Sequence, residues 1–154
     1  MKSKVLFLCT GNSCRSQMAE GFLRHWAGDR FDVASAGTHP TGLNPDAVEA
    51  MREIGIDISH HRSKGIGEVI GQRFGHVITV CDRAKESCPI FPEASALDHW
   101  PIEDPAAARG SSEERKAVFR WVRSEIAARV RRFIEEEGSP GAWMDFKMPD
   151  VGEG

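Results

Sequence analysis

Residues 5–8, Val-Leu-Phe-Leu, form an uninterrupted apolar run that stops at Cys9. A strand on a half-solvated sheet alternates apolar and polar side chains, whereas a short run without alternation fits a strand buried on both faces, as in a parallel sheet covered by helices. The next residues, Thr-Gly-Asn-Ser-Cys-Arg, are turn formers, and Ser16–Trp26 then places Met18, Phe22 and Trp26 at helical spacing. The chain therefore starts as strand, turn and helix, with strand one expected over Lys4–Leu8 and Ser16 in the helix's first turn.

The same alternation continues. A second strand is expected around Asp32–Ala36, followed by the turn-rich Gly-Thr-His-Pro-Thr-Gly-Leu-Asn-Pro and a helix from Pro45 that ends by Gly55. His76–Val80 is rich in β-branched residues and reads as a third strand, running into Cys81. Ala96–Trp100 reads as a fourth. Ser112–Glu136 carries Phe119, Val122, Ile126, Val130 and Phe133 in one stripe at spacings of three and four, which makes it a packing helix. The expected fold class is α/β, a four-stranded parallel sheet flanked by helices as a three-layer sandwich. One catalytic domain is expected over 1–137, with 138–154 a tail, flexible or loosely docked through Trp143 and Phe146.

At 154 residues the chain is of one-domain size, and a net charge of −3 supplies no basic field for nucleic acid or an anionic membrane. No apolar run approaches the roughly 20 residues needed to cross a bilayer, and the apolar part of Met1–Cys9 is too short for a secretory signal. The expected address is cytoplasmic. There, four cysteines are more readily thiols with chemistry than a disulfide scaffold.

Cys9 and the turn after it sit at the carboxyl edge of the sheet, where open α/β folds bind ligands. Gly11 and Asn12 tolerate positive φ, so the backbone N–H groups of Thr10, Gly11, Asn12, Ser13, Cys14, Arg15 and Ser16 can converge into an anion nest at a helix N-terminus. Arg15 adds a planar fork for two oxygens of a tetrahedral oxyanion. Such a positive setting is expected to lower the Cys9 pKa into the range of about 3.5–7.5 and to make a thiolate at neutral pH. A thiolate beneath a bound oxyanion points to attack on phosphorus or arsenic.

Cys, five residues, Arg and Ser at the start of the chain resembles the low-molecular-weight protein tyrosine phosphatase superfamily. Val-Ala-Ser-Ala-Gly, Asn-Pro-Asp-Ala-Val-Glu-Ala-Met, Gly-Ile-Asp-Ile-Ser, His-Val-Ile-Thr-Val-Cys and Glu-Asp-Pro follow in the family's order, covering residues 4 to about 134. The resemblance implies Cys9 as nucleophile, Arg15 as oxyanion clamp and Ser16 as hydrogen-bond support for the thiolate. It also implies Asp104 as general acid, held out of helical geometry by Pro105.

A phosphatase needs one thiol, yet Cys81 and Cys88 lie seven residues apart at the same sheet edge, and extra thiols near a nucleophile suggest electron transfer. Were Asp82–Ser87 helical, the two would be about 10.5 Å apart along the axis, beyond disulfide reach, so that joining them requires unwinding. Pro89 and Pro92 make that less costly. The pattern resembles the thioredoxin-coupled arsenate reductases built on the same fold. That resemblance implies a relay: Cys9 attacks arsenate, Cys81 attacks Cys9 as arsenite leaves, Cys88 resolves the bond, and thioredoxin reduces the final Cys81–Cys88 disulfide. Cys14 is expected to serve through its backbone. A phosphatase using a Cys9 phosphocysteine is the alternative, and a non-catalytic redox sensor a third reading.

No aromatic residue occurs in Thr-His-Pro-Thr-Gly-Leu-Asn-Pro or Asp-Pro-Ala-Ala-Ala-Arg-Gly-Ser, and the chain has no tyrosine, so nothing is supplied to hold a phenyl ring. A bare oxyanion suits this bowl better than an aryl phosphate, with phosphate as a competitor of arsenate. Cysteine spacings of five and seven lack a zinc knuckle. Some reductases of this family hold potassium through Asn, Glu, Ser and Asp; Asn12, Glu20 and Ser35 match, but Lys64 replaces the acid. Its ammonium is expected to fill the cation's place, so no metal and no cofactor are expected. His60 and His61 are placed on an exposed loop, and a monomer is expected.

Overall fold

The structure is a computed structural model that describes residues 3–81 and 96–137. Strand β1, Ser3–Cys9, is buried from Val5 to Cys9. It pairs in parallel with β2, Phe31–Gly37, on one side and β3, His76–Thr79, on the other. β4, Ala96–His99, is parallel to β3 and closes the order β2-β1-β3-β4. The register sets Cys9 opposite Gly37, Leu8 opposite Thr79 and Thr79 opposite His99, so the carboxyl ends of all four strands meet at one edge. Continuous burial of the central strand makes the sheet the middle layer of a three-layer α/β sandwich, the architecture expected from its unbroken apolar run.

Helix α1, Arg15–Ala27, starts one residue earlier than expected, because the chain turns into helix at Cys14. It buries Met18, Phe22, Leu23 and Trp26 against the sheet. α2 is Pro45–Arg52, with Asn44 as N-cap: its Oδ1 accepts the Asp46 N–H at 2.7 Å. The helix stops short of Gly55, whose φ of 82° lets the chain reverse and Ile56 N–H return to Met51 O. Two 3₁₀ turns follow, Ile66–Glu68 and Pro105–Ala107.

Helix α3, Ser112–Glu137, presents the expected stripe: Phe119, Val122, Ile126, Val130 and Phe133 are all buried. Each such side chain contributes about 1.5–3 kcal/mol by leaving water. Phe133 sits 5.4 Å from Phe31 and 6.4 Å from Trp100, centroid to centroid, so α3 reaches both outer strands of the sheet. Glu53, just past α2, receives Arg120 and Arg123 of α3 at 2.8–3.0 Å, and the two guanidiniums pull its carboxyl down to about 2. The Asp82–Ser87 segment, Cys88, Pro89, Pro92, Trp143 and Phe146 lie outside the described residues. Among the described residues no helix is long and apolar enough to cross a membrane.

Candidate active site

The β1–α1 loop is shaped by what its carbonyls do. Cys9 O accepts from Thr38 N, Thr10 O from His39 N, Gly11 O from Thr41 N and Ser63 Oγ, Ser13 O from Asn44 N, and Cys14 O from Met18 N, all at 2.8–3.1 Å. Asn12 O accepts from Gln17 Nε2 at 3.1 Å. Six consecutive carbonyls are thus captured outside the loop. In a trans peptide the N–H points opposite to the C=O, so the amides joined to those carbonyls, Thr10 to Arg15, are turned toward the other side of the backbone. There a cleft of about 210 Å³ is lined by Cys9, Thr10, Gly11, Ser13, Cys14 and Arg15, with Thr41, Asp104 and Ala106 at its rim. The positive end of α1 faces it as well.

Asn12 is the turning point. Its φ of 48° is the left-handed conformation expected there, while Gly11 does not need it. Loop and second strand also approach closely: a Cβ on Gly37 would lie 2.5 Å from Thr10 O and 2.9 Å from Asn12 N. Only glycine fits between those backbone atoms.

Beneath the loop the Asn12 side chain organises a buried chain of hydrogen bonds. Its Nδ2 donates to Ser16 Oγ and Ser35 Oγ, both at 2.9 Å, and its Oδ1 accepts from Gln17 Nε2 at 3.0 Å and Lys64 N at 2.9 Å. Ser35 Oγ donates onward to Glu20 at 2.6 Å, and Arg24 donates to the other Glu20 oxygen and to Val33 O. The structure corrects two expectations here. Ser16 supports Asn12 rather than the Cys9 sulfur. Lys64 serves the loop through its backbone N–H, and the cation paired with Glu20 is Arg24, one helical turn away on α1 and invisible to a reading guided by the loop alone. His61 also departs from expectation: its side chain is 6% exposed, and its Nδ1 lies 3.0 Å from Gln17 Oε1 and 4.0 Å from Glu20. Burial pushes its pKa down, against the pull of Glu20.

Arg15 spans the cleft. Nη1 donates to Ile102 O at 3.0 Å, Nη2 stands 3.6 Å from Asp104, and Nε is buried with no partner among the described residues. Asp104 is extended ahead of Pro105 and accepts the Ala106 N–H at 3.0 Å, which caps the 3₁₀ turn and leaves the carboxyl half exposed over the same cleft as Cys9. Among the described residues no aromatic ring lines this cleft.

Cys9 and Cys81 are both buried and in contact. Cys81 lies just past β3, after Val80, whose N–H bonds to Leu8 O, and the Cys81 Sγ lies 3.2 Å from Thr10 Oγ1. Hydrogen bonding to Cys81 and burial hold the Cys9 thiol above its ordinary range, while Arg15 and the Thr10 N–H pull the other way. The expected lowering of the Cys9 pKa is therefore corrected to a rise: of two neighbouring sulfurs only one can ionise at little cost out of water. Cys14, at the helix N-cap, is pushed up to about 11 by burial, against the Ser13 hydroxyl, and so stays a thiol. Cys81 also lines a second cavity, of about 260 Å³, with Arg15, Pro101, Ile102 and Glu103. Cys9, Cys14 and Cys81 form no disulfide with one another. No group of three or more His, Cys, Asp or Glu there is placed to hold a metal ion.

The site thus unites Cys9, Arg15, Cys81 and Asp104 with the 10–16 loop, as expected, and adds Gln17, Thr41 and His61. Of these, only Gln17 adjoins the loop in sequence, in the first turn of α1 between Ser16 and Met18. Comparison with known proteins follows the same line. The family model for low molecular weight phosphotyrosine protein phosphatase matches residues 4–138. An arsenate reductase of Halalkalibacterium halodurans is 50% identical over 134 residues, 87% of this chain and 96% of that protein. A solved arsenate reductase in its oxidized state superposes with a TM-score of 0.75 at 34% identity, covering 88% of this chain and 98% of the other. The thioredoxin-dependent arsenate reductase of Corynebacterium glutamicum gives 0.70 at 27%, covering 88% of this chain and 61% of that one.

Proposed function

Since the chain belongs to the low molecular weight phosphotyrosine protein phosphatase family, we propose that within it this protein reduces arsenate to arsenite, and that thioredoxin restores it. One observation carries the reading: a second buried thiol, Cys81, stands against the nucleophile. A hydrolase has no use for it. The arsenate reductases at 50% and 34% identity support the same assignment, and the thioredoxin-dependent relative supports the reductant.

Arsenate enters the nest, with its oxygens on the inward N–H groups and on the Arg15 guanidinium. The Cys9 proton passes to an arsenate oxygen as the sulfur attacks arsenic, water leaves, and a Cys9–As(V) bond forms. The leaving oxygen must be protonated, and Asp104 beside the same cleft is the further proton carrier. Cys81 then attacks the Cys9 sulfur. The S–As bond breaks, its electron pair stays on arsenic as arsenite, and a Cys9–Cys81 disulfide remains. Cys88 attacks Cys81, Cys9 is released as a thiol, and the Cys81–Cys88 disulfide takes two electrons from thioredoxin. The cytoplasm, with its reduced thiol pool, is the proposed compartment. Phosphate competes for the nest, but among the described residues the cleft has no aromatic wall on which an aryl phosphate could stack.

The test follows NADPH oxidation and arsenite formation with thioredoxin and thioredoxin reductase for wild type, Cys9→Ser, Cys81→Ser and Cys88→Ser. All three variants are expected to lose multiple turnover. Sustained turnover by Cys81→Ser would end the relay, and aryl phosphate hydrolysis unchanged in Cys81→Ser and Cys88→Ser, with no arsenate reduction, would establish the phosphatase instead.

A further inference from the structure

Gln17 is completely buried, yet it takes no part in the chemistry above. Its Nε2 faces three oxygens, Asn12 O at 3.1 Å, Asn12 Oδ1 at 3.0 Å and Arg62 O at 3.1 Å. Two are backbone carbonyls, which can only accept, so this end of the side chain must be the NH₂ group. The other end must then be the carbonyl, and His61 Nδ1, 3.0 Å away, must donate to it. The direction of every bond is thereby set from His61 through Gln17 to Asn12.

Among the loop carbonyls Cys9 to Cys14, Asn12 O is captured by a side chain with no backbone N–H beside it among the described residues; backbone N–H groups of the loop after β2 and of α1 serve the others, Gly11 O taking Ser63 Oγ as well. It belongs to the residue at positive φ, where the chain reverses so that the N–H groups converge. We propose that Gln17 is the positioning residue that holds Asn12 in its left-handed conformation and so sets the affinity of the nest for tetrahedral oxyanions. The position needs a donor for two carbonyls and an acceptor for a ring N–H, which only an amide of this reach supplies. Glutamate in its place would turn a carboxylate toward Asn12 O and Oδ1 when ionised, and recover one donor when protonated. This inference rests on the cleft being the oxyanion site of the proposed reductase.

The experiment measures sulfate, a dianion across the working range, by titration calorimetry against the reduced full-length protein, with arsenate reduction assayed in parallel. Gln17→Met is expected to weaken sulfate at least about tenfold, because two buried carbonyls lose their donor. Gln17→Glu should bind at least about tenfold more weakly than wild type at about pH 8, and within about threefold of it at about pH 5.5, where a buried carboxyl is protonated. The arsenate KM should rise with the sulfate Kd while kcat at saturation holds. Equal affinity in wild type and variants would overturn the proposal, as would a Gln17→Glu defect of the same size at both pH values, which marks a packing fault. If Gln17→Met does not fold, the near-isosteric Gln17→Glu series decides alone. Wild type that binds sulfate without reducing arsenate would sink the reductase reading and leave this one standing, whereas wild type that binds no sulfate would overturn both.

Discussion

Gly37→Ala tests the close approach on which the nest depends. The added methyl would meet Thr10 O at 2.5 Å and Asn12 N at 2.9 Å, both backbone atoms of a loop whose carbonyls are already engaged. No flexible side chain is there to yield. Ordinary contact starts near 3.4 Å, so the loop must retreat by most of an ångström or β2 must slip. Gly37 does not sit at positive φ, and the penalty is therefore steric rather than conformational. Overpacking of this kind costs about 1–3 kcal/mol, which for a chain of this size lowers Tm by roughly 3–10 °C. Thermal unfolding followed by circular dichroism reads the stability, and the arsenate KM reads the displaced N–H groups, with a rise of at least about tenfold expected from a shift of this size. Gly67→Ala is the control. A Cβ there meets nothing within 4 Å, so stability should stay within about 0.5 kcal/mol. A Gly37→Ala protein matching wild type in both Tm and KM would refute the reasoning.

Two further outcomes follow from ionisable groups. Glu53 is held near 2 by Arg120 and Arg123, below its unfolded value of about 4.3, so its ion pairs stabilise the fold above the unfolded value and are lost as pH falls through the folded one. Glu53→Gln should therefore lower stability at neutral pH, by no more than about 1 kcal/mol because Glu53 is exposed and its pairs are screened by solvent, and the gap in denaturant unfolding between wild type and variant should close between about pH 5 and pH 2; a constant gap would contradict this. Cys81→Ala removes the largest influence that raises the Cys9 pKa. Iodoacetamide labelling of Cys9, quantified by peptide mass spectrometry at neutral pH, should then accelerate about threefold for each unit the pKa falls, the larger thiolate fraction being partly offset by its lower nucleophilicity, and slower or equal labelling would contradict the assignment.

The fold was legible because its signals are local. An unbroken apolar run, β-branched residues at His76–Thr79 and a three-and-four stripe in α3 each report burial directly. The site was legible as far as residues close in sequence define it: Cys9, Arg15 and Asn12 belong to one turn, and Asp104 is marked by its proline. What remained hidden depends on distant partners. No pattern in residues 9–15 tells that Thr38, His39, Thr41 and Asn44 capture its carbonyls, or that His61 is buried beneath it beside Gln17. The Cys9 ionisation was misjudged for the same reason. The positive groups are neighbours in the chain, whereas Cys81, which opposes them, arrives from β3 through parallel pairing.

The most direct measurement follows one turnover. Reduced Cys88→Ser protein, mixed with a stoichiometric amount of arsenate in the absence of thioredoxin, should release about one arsenite per chain and then stop. Non-reducing peptide mapping should find Cys9 joined to Cys81. Arsenite released while Cys81 remains a free thiol, or no arsenite at all from a protein that binds the oxyanion, would contradict the account.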